Sequence, residues 1–300
     1  MTTVASPACP VCSAPGSVPV PFGYDFQATW LQCIRCTRCG VMFLHPMPSD
    51  DQIATLYARE YFEGDFRCGH EGSCFTDPGR AALAGGGLLE RIRELRRSGR
   101  LLEIGCAGGA FLNAAREAGY EVQGVELSPE ASQFARSTFG LPVFTGDLLD
   151  ARFPGGAFDI AYLGDVIEHL PRPREVLTEI RRILSPGGII MLACPSQTNT
   201  LFSRAGFAAY GLMGRRATVQ LPPYHLFEYR PLSIRALLGG CGFERIRVRQ
   251  HAIPPGAIAL RGPLTQRIGK KLLQYPNYAL TSVFGVFGDR MEVVGYTPRE

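Results

Sequence analysis

From Arg100 onward the chain alternates short apolar runs with helical stretches, and this alternation leaves few architectures open. Leu101–Ile104, Glu121–Glu126, Pro142–Thr145, Phe158–Leu163 and Gly188–Ala193 read as strands. Ala110–Ala118, Pro129–Phe139 and Arg174–Leu184 read as helices lying between them. A strand that reaches its neighbour through a helix runs parallel to it, so the expected core is a parallel sheet covered by helices on both faces. Further on, Pro231–Cys241 reads as a helix, and Phe243–Gln250 and Met291–Tyr296 read as strands that pair antiparallel. The stretch Ile253–Gly288 is too long for a turn and is expected to fold as a helical insertion. Upstream, Ser49-Asp50-Asp51 caps a helix over Gln52–Tyr61. Leu88, Leu89, Ile92 and Leu95 form a helical stripe ending at Ser98-Gly99, with Glu63–Gly87 expected as loop.

The first strand runs into the next helix through Gly105-Cys106-Ala107-Gly108-Gly109. Small side chains there let a ligand approach the backbone, and the helix start offers free N–H groups. A glycine-rich turn alone is weak evidence, but three acids strengthen it. Glu126 ends the second strand, about 20 residues on, where a carboxylate accepts both hydroxyls of a ribose. Asp147 follows the third strand, within reach of an adenine amino group. Glu103 sits at the tip of the first strand, facing the place of an amino-acid ammonium. A nicotinamide dinucleotide has no ammonium, and its G-x-G-x-x-G fingerprint maps poorly onto Gly105, Ala107 and Ala110.

These residues resemble the class I S-adenosylmethionine methyltransferases, whose first motif has the form acid-x-Gly-x-Gly-x-Gly. Glu103, Gly105 and Gly109 take the family positions, and Ala107 replaces the middle glycine. Phe158 to Leu170 resembles the fourth motif, and Leu184-Ser185-Pro186-Gly187-Gly188 the turn before the fifth strand. The resemblance covers about residues 99–252 and 290–296. It implies an α/β Rossmann-like seven-stranded sheet and S-adenosylmethionine held by Glu103, Gly105, Cys106, Ala107, Gly109, Glu126, Leu127, Asp147, Leu148 and Gly164.

Residues 1–50 are rich in Cys, Pro and Gly and carry two knuckles, Cys9-Pro10-Val11-Cys12 and Cys36-Thr37-Arg38-Cys39-Gly40. Two such pairs place four thiolates around a structural Zn2+ ion, whose binding energy holds a module too small for its own core. Cys33-Ile34-Arg35-Cys36 competes as the second knuckle. Cys36/Cys39 is preferred because Gly40 lets the chain turn and Val41–Leu44 reads as the returning strand. Cys68, His70 and Cys74 read as incidental, and Cys106, Cys194 and Cys241 as core thiols. The segment Cys36–Ser49 resembles bacterial methyltransferases with an N-terminal ribbon, similar to sugar C-methyltransferases and others of glycan and secondary-metabolite synthesis. The expected organisation is a zinc-ribbon module (1–50), a helical linker or lid (51–98) and the methyltransferase domain (99–300), with insertions at 197–230 and 253–288.

Methyl transfer needs an aligned acceptor and, for a hydroxyl or carbon acid, a base. Leu221 to Pro231 gathers Tyr224, His225, Glu228 and Tyr229, and it resembles the His- and Tyr-bearing loop of the sugar methyltransferases, where His is the proposed base. His225 is therefore the expected base, with Tyr224, Tyr229 and His169 beside it. Asp165, Glu168 and His169 stand at i, i+3 and i+4 and resemble the cation-binding triplet of the ubiquinone-pathway O-methyltransferases. The alternative is that His169 only hydrogen-bonds within the pocket. Apolar stretches at Leu201–Met213 and Leu272–Phe287 read as a lid over a partly apolar acceptor, with peripheral membrane or subunit contact as alternatives.

Composition excludes other classes. An apolar share of 46% and a charged share of 19% fit an ordinary globular chain. The net charge of +4 comes from scattered arginines interleaved with acids, so no nucleic-acid footprint is expected. Neither a secretory leader nor a spanning helix is read, and a cytoplasmic location follows as the expectation. The expected activity is methyl transfer to a small molecule, a nucleotide sugar or similar biosynthetic intermediate. The alternatives are O-methylation of an aromatic or prenylated phenol, and a non-catalytic cofactor sensor. Acceptor and oligomeric state stay open.

Overall fold

A computed structural model of the chain describes residues 7–56, 78–214, 216–219, 222–255 and 264–299. Cys68, His70, Cys74 and the end of the helix expected to reach Tyr61 lie outside the described residues.

The chain opens with a hairpin of β1 (Ser17–Phe26) and β2 (Thr29–Cys36), and β3 (Met42–His45) returns antiparallel to β2. Helix α1 (Asp50–Leu56) starts as expected: Ser49 Oγ accepts from Gln52 N, and Gln52 Oε1 accepts from Ser49 N. Helix α2 (Pro78–Leu95) begins earlier than its apolar stripe implies, because Pro78 is pre-set for a first helical turn and alanines follow. It buries Ile92 against the sheet.

The expected alternation then appears in full: β4 (Arg100–Ile104), α3 (Ala110–Glu117), β5 (Glu121–Glu126), α4 (Pro129–Phe139), β6 (Val143–Thr145), β7 (Phe158–Gly164), α5 (Pro173–Ile183) and β8 (Leu184–Pro195). Then come α6 (Leu201–Leu212), β9 (Ala217–Val219), β10 (Phe227–Glu228), α7 (Pro231–Gly240), β11 (Glu244–His251), α8 (Leu264–Phe284) and β12 (Arg290–Tyr296). The seven-stranded sheet has the order β11-β12-β8-β7-β4-β5-β6. Strands β4 to β8 are parallel, and β12 lies antiparallel between β8 and β11.

Local chemistry explains the helices. Ser128 caps α4 by accepting from Ala131 N, Pro129 opens it, and Gly140 closes it in the left-handed region. Helix α5 buries Val176, Leu177, Ile180 and Ile183 on one face and leaves Arg181 and Arg182 outside. At the N-terminal edge of the sheet, Asp159 accepts from Arg100 N at 3.0 Å and from Ser185 Oγ at 3.0 Å, and pairs with the Arg100 and Arg96 guanidinium groups. One carboxylate thus clamps the starts of β4, β7 and β8. The opposite edge is left for the site.

The second sheet is the unexpected part. Its order is β10-β3-β2-β1-β9, so two strands from the 197–230 insertion flank the N-terminal hairpin. One contiguous core runs from Val11, Met42 and Phe43 through Leu226, Phe227 and Tyr229 to Leu192 of the large sheet.

Candidate active site and metal centre

Cys9, Cys12, Cys36 and Cys39 bring their sulfurs within 4.8 Å of one another. The Cys9–Cys39 distance is 3.6 Å and the Cys12–Cys36 distance 3.7 Å. A tetrahedron with Zn–S bonds of about 2.3 Å has edges of about 3.8 Å, so the donor set fits zinc. Gly40 takes φ 76° after the second knuckle, and Cys39 N points at Cys36 Sγ at 3.5 Å. The Cys9 thiol is held down at about 5, chiefly by its hydrogen bond to Cys39. Cys33 stands outside this group, buried on β2 opposite Leu44, which closes the question of register.

The glycine-rich turn lies at the C-terminal edge of β4. Gly105 has φ 71°, and a Cβ there would sit 2.5 Å from Val166 Cγ2. Gly109 has φ 77°, and its Cβ would meet Leu141 at 2.7 Å, so α3 packs against α4 only with glycine. Ala107 adopts φ 47°, an unfavourable region for a side chain, and its N–H donates to Glu126 Oε2 at 2.7 Å. Glu126 Oε1 accepts from Ser128 N at 2.9 Å. The carboxylate is therefore fixed at the end of β5 by two backbone donors. Leu127, 55% exposed, projects beside it. Asp147 follows β6 and accepts from Leu149 N at 2.8 Å, with Leu148 buried behind it. Glu103 is buried in β4 between Gly124 and Tyr162, and Gly164 ends β7 on the same edge. Cys106 packs its sulfur into the core beneath Gly124, leaving only its backbone to a ligand. Two acids, at the ends of β5 and β6, and a turn of small residues share one sheet edge, and these residues fit a sulfonium nucleoside.

Beyond β7 the backbone makes one tight turn over Ile167–His169. Glu168 is 1% exposed, and neither carboxyl oxygen has a hydrogen-bond partner among the described residues. Burial, then the Asp165 charge, push its carboxyl up to about 8. His169 is pulled down to about 4, by burial first and by His225 second, and is neutral at pH 7. Its Nδ1 lies 2.7 Å from Tyr224 O, so that nitrogen carries the proton. His225 lies edge-on to His169, with ring centroids 5.1 Å apart, and its Nδ1 is 3.3 Å from Glu228 Oε1. Burial lowers the His225 pKa, but hydrogen bond and charge from Glu228, with Glu168 and Asp165 beyond, raise it above its ordinary value.

A family model described as a methyltransferase domain matches residues 80–248. The chain belongs to that family. Among curated relatives of this methyltransferase, a ubiquinone biosynthesis O-methyltransferase of Burkholderia pseudomallei (strain 1710b) is 23% identical over 167 residues, which are 52% of this chain and 69% of the relative. The counterpart from Xanthomonas oryzae pv. oryzae (strain PXO99A) is 29% identical over 112 residues, covering 35% and 47% of the two chains. A crystal structure of a SAM-dependent methyltransferase from Archaeoglobus fulgidus superimposes with a TM-score of 0.52 at 19% identity, over 79% of this chain and 97% of that one. The fold of the methyltransferase is thus shared.

Some residues stand apart from their expected places. Asp165 leaves the expected triplet: the segment turns only once, and Asp165 pairs with Arg290 of β12 at 2.6 Å. The methyltransferase instead groups Glu168, His169 and His225, whose ligand atoms lie within 4.8 Å and whose mixed donors suit a divalent ion. Tyr229 is fully buried and stacks on Phe227, so it packs the core and faces no acceptor. Tyr224 stays at the site through its carbonyl. Glu228 was legible only as a neighbour of His225; its role as partner needs the β10 backbone. A cavity of about 170 Å³, lined by Gln197, Thr200, Ser203, Asp289 and Arg290 among others, lies past the end of β8.

Proposed function

We propose that the chain transfers the methyl group of S-adenosylmethionine to a small-molecule acceptor, a nucleotide sugar or another glycan or secondary-metabolite intermediate. Glu126 holds the ribose hydroxyls, Asp147 the adenine edge and Glu103 the ammonium, while four cysteines hold a structural zinc. The bound cofactor supplies an electrophilic methyl on a sulfonium. With that cofactor bound, His225 would take up the proton that the acceptor atom gives up as it receives the methyl group. The observation that carries this reading is the His225–Glu228 contact of 3.3 Å beside the buried Glu168, on the loop facing the cofactor edge. Glu228 fixes which His225 nitrogen holds a proton and stabilises the imidazolium that forms.

His225→Ala is expected to lower turnover by roughly 10²–10⁴-fold while affinity for S-adenosylhomocysteine stays within about twofold. Unchanged turnover on the true acceptor sinks the role of His225. The names of the Burkholderia and Xanthomonas relatives favour a second reading, O-methylation of a phenol. On that reading the Glu168–His169–His225 group holds a divalent ion, and activity requires added ion even with the ribbon zinc saturated.

A further inference from the structure

Three arginines from separate elements lie near enough to act on one another's charge where the ribbon, the insertion and the large sheet join. Arg230, just before α7, donates from a terminal nitrogen to Thr198 O at 3.1 Å. Arg204 of α6 donates to the next carbonyl, Asn199 O, at 3.1 Å and to Asn199 Oδ1 at 2.8 Å. Successive carbonyls therefore hold two guanidinium groups as neighbours. Arg35 of β2 is the third: it lies opposite Met42, whose other neighbour across the sheet is Glu228, two residues before Arg230. The Arg230 stem rests against Gly40 of the knuckle, 4.0 Å from where a Cβ would be.

The group carries unbalanced charge. Among the described residues no carboxylate pairs with Arg35, Arg204 or Arg230. Glu228, nearest in sequence, contacts His225 through Oε1, and its charge offsets only part of the repulsion at Arg230. The Nε of Arg230 is buried and has no hydrogen-bond partner among the described residues. Burial, then the charges of Arg204 and Arg35, pull Arg230 down to about 10 against the opposing charge of Glu228. A desolvated donor with two like charges beside it is costly unless an anion completes it. Guanidinium forks match the oxygens of phosphate esters.

We propose that Arg35, Arg204 and Arg230 form an anion subsite that receives the phosphate or diphosphate of a soluble, activated acceptor. This rests on the reading of the chain as a small-molecule methyltransferase and narrows its acceptor to a phosphate-bearing one. The turn that holds Arg230 and Arg204 runs on into Thr200 and Ser203, which line the cavity, and His225 lies in the loop just before β10, on the way to Arg230. The phosphate end and the reacting end of one acceptor are thereby served by the same short stretch of chain. A plain phenol leaves the three charges unmatched.

The test is calorimetry on the full, zinc-replete chain, titrated separately with inorganic pyrophosphate and with S-adenosylhomocysteine. Wild type is expected to bind pyrophosphate in a salt-sensitive way, with uridine diphosphate competing. Arg35→Gln, Arg204→Gln and Arg230→Gln are each expected to weaken it about tenfold, with S-adenosylhomocysteine affinity unchanged. Arg35 is exposed and makes no hydrogen bond among the described residues, so R35Q changes charge without disturbing packing. No pyrophosphate binding by wild type, or an affinity equal to that of wild type in all three variants, overturns the subsite. Phosphatidylcholine vesicles containing phosphatidic acid separate the sources: arginine-dependent capture by vesicles in place of pyrophosphate also overturns it. Loss of S-adenosylhomocysteine binding with pyrophosphate retained refutes the methyltransferase reading and leaves the subsite standing.

Discussion

Glu228 controls His225 through one contact, and its removal has a signed consequence. With His225 as the proposed base, active when neutral, activity rises with pH through its pKa, which Glu228 raises. Glu228→Gln is therefore expected to move the rising limb of the pH–rate profile to lower pH while reducing kcat, read from kcat between pH 5 and 9. A limb that stays in place shows that another group sets it. Asp159 is the stability counterpart. Burial raises its pKa, but hydrogen bonds from Arg100 and Ser185 and the Arg96 charge bring it down to about 2. A carboxylate depressed from 3.8 to about 2 contributes stability above its unfolded pKa, lost as pH falls toward 2. Asp159→Asn is expected to cost about 2 kcal/mol in urea unfolding at pH 7, and the two proteins converge near pH 2.

At the scale of elements, sequence and structure agree where a physical period is long enough to be seen. Strand β4 and helix α5 carry apolar runs or a helical stripe, and both were legible. The cysteine pairs were legible because zinc ligation demands them at close spacing. Strands β9 and β10 are three and two residues long and have no period at all. They exist because the hairpin offers unpaired edges, which no local pattern announces. The same holds for Asp165 with Arg290 and for His169 with the Tyr224 carbonyl, contacts across |i−j| of 125 and 55. The three arginines looked like scattered surface charge because the three elements that carry them lie far apart along the chain. The two short strands bracket His225, so the sheet that carries the four-cysteine cluster positions the loop. Chelation of zinc is expected to reduce turnover at least about tenfold while S-adenosylhomocysteine binding, measured calorimetrically, persists. Equal loss of both indicates global unfolding instead.

Across the whole molecule, no helix among the described residues is long and apolar enough to cross a membrane. Exposed apolar side chains concentrate on α6 and α8 and just past α6, where Leu212 is 90% exposed, Met213 56%, Leu272 69%, Val283 72% and Phe284 69%. The two helices pack on each other at one end of the fold. On the proposed reading the nucleoside edge lies over β4 to β6, whereas the acceptor loop runs into β10 of the ribbon sheet and is tied to the turn after β7, so the two halves of the reaction rest largely on different scaffolds.

That division reaches into the physiology of any cell making this enzyme. With zinc on the four cysteines and the acceptor on the His225 loop as proposed, a zinc-starved host would accumulate chain that still captures its nucleoside yet cannot present an acceptor to it. Product yield would then follow the supply of a trace metal that takes no part in the chemistry.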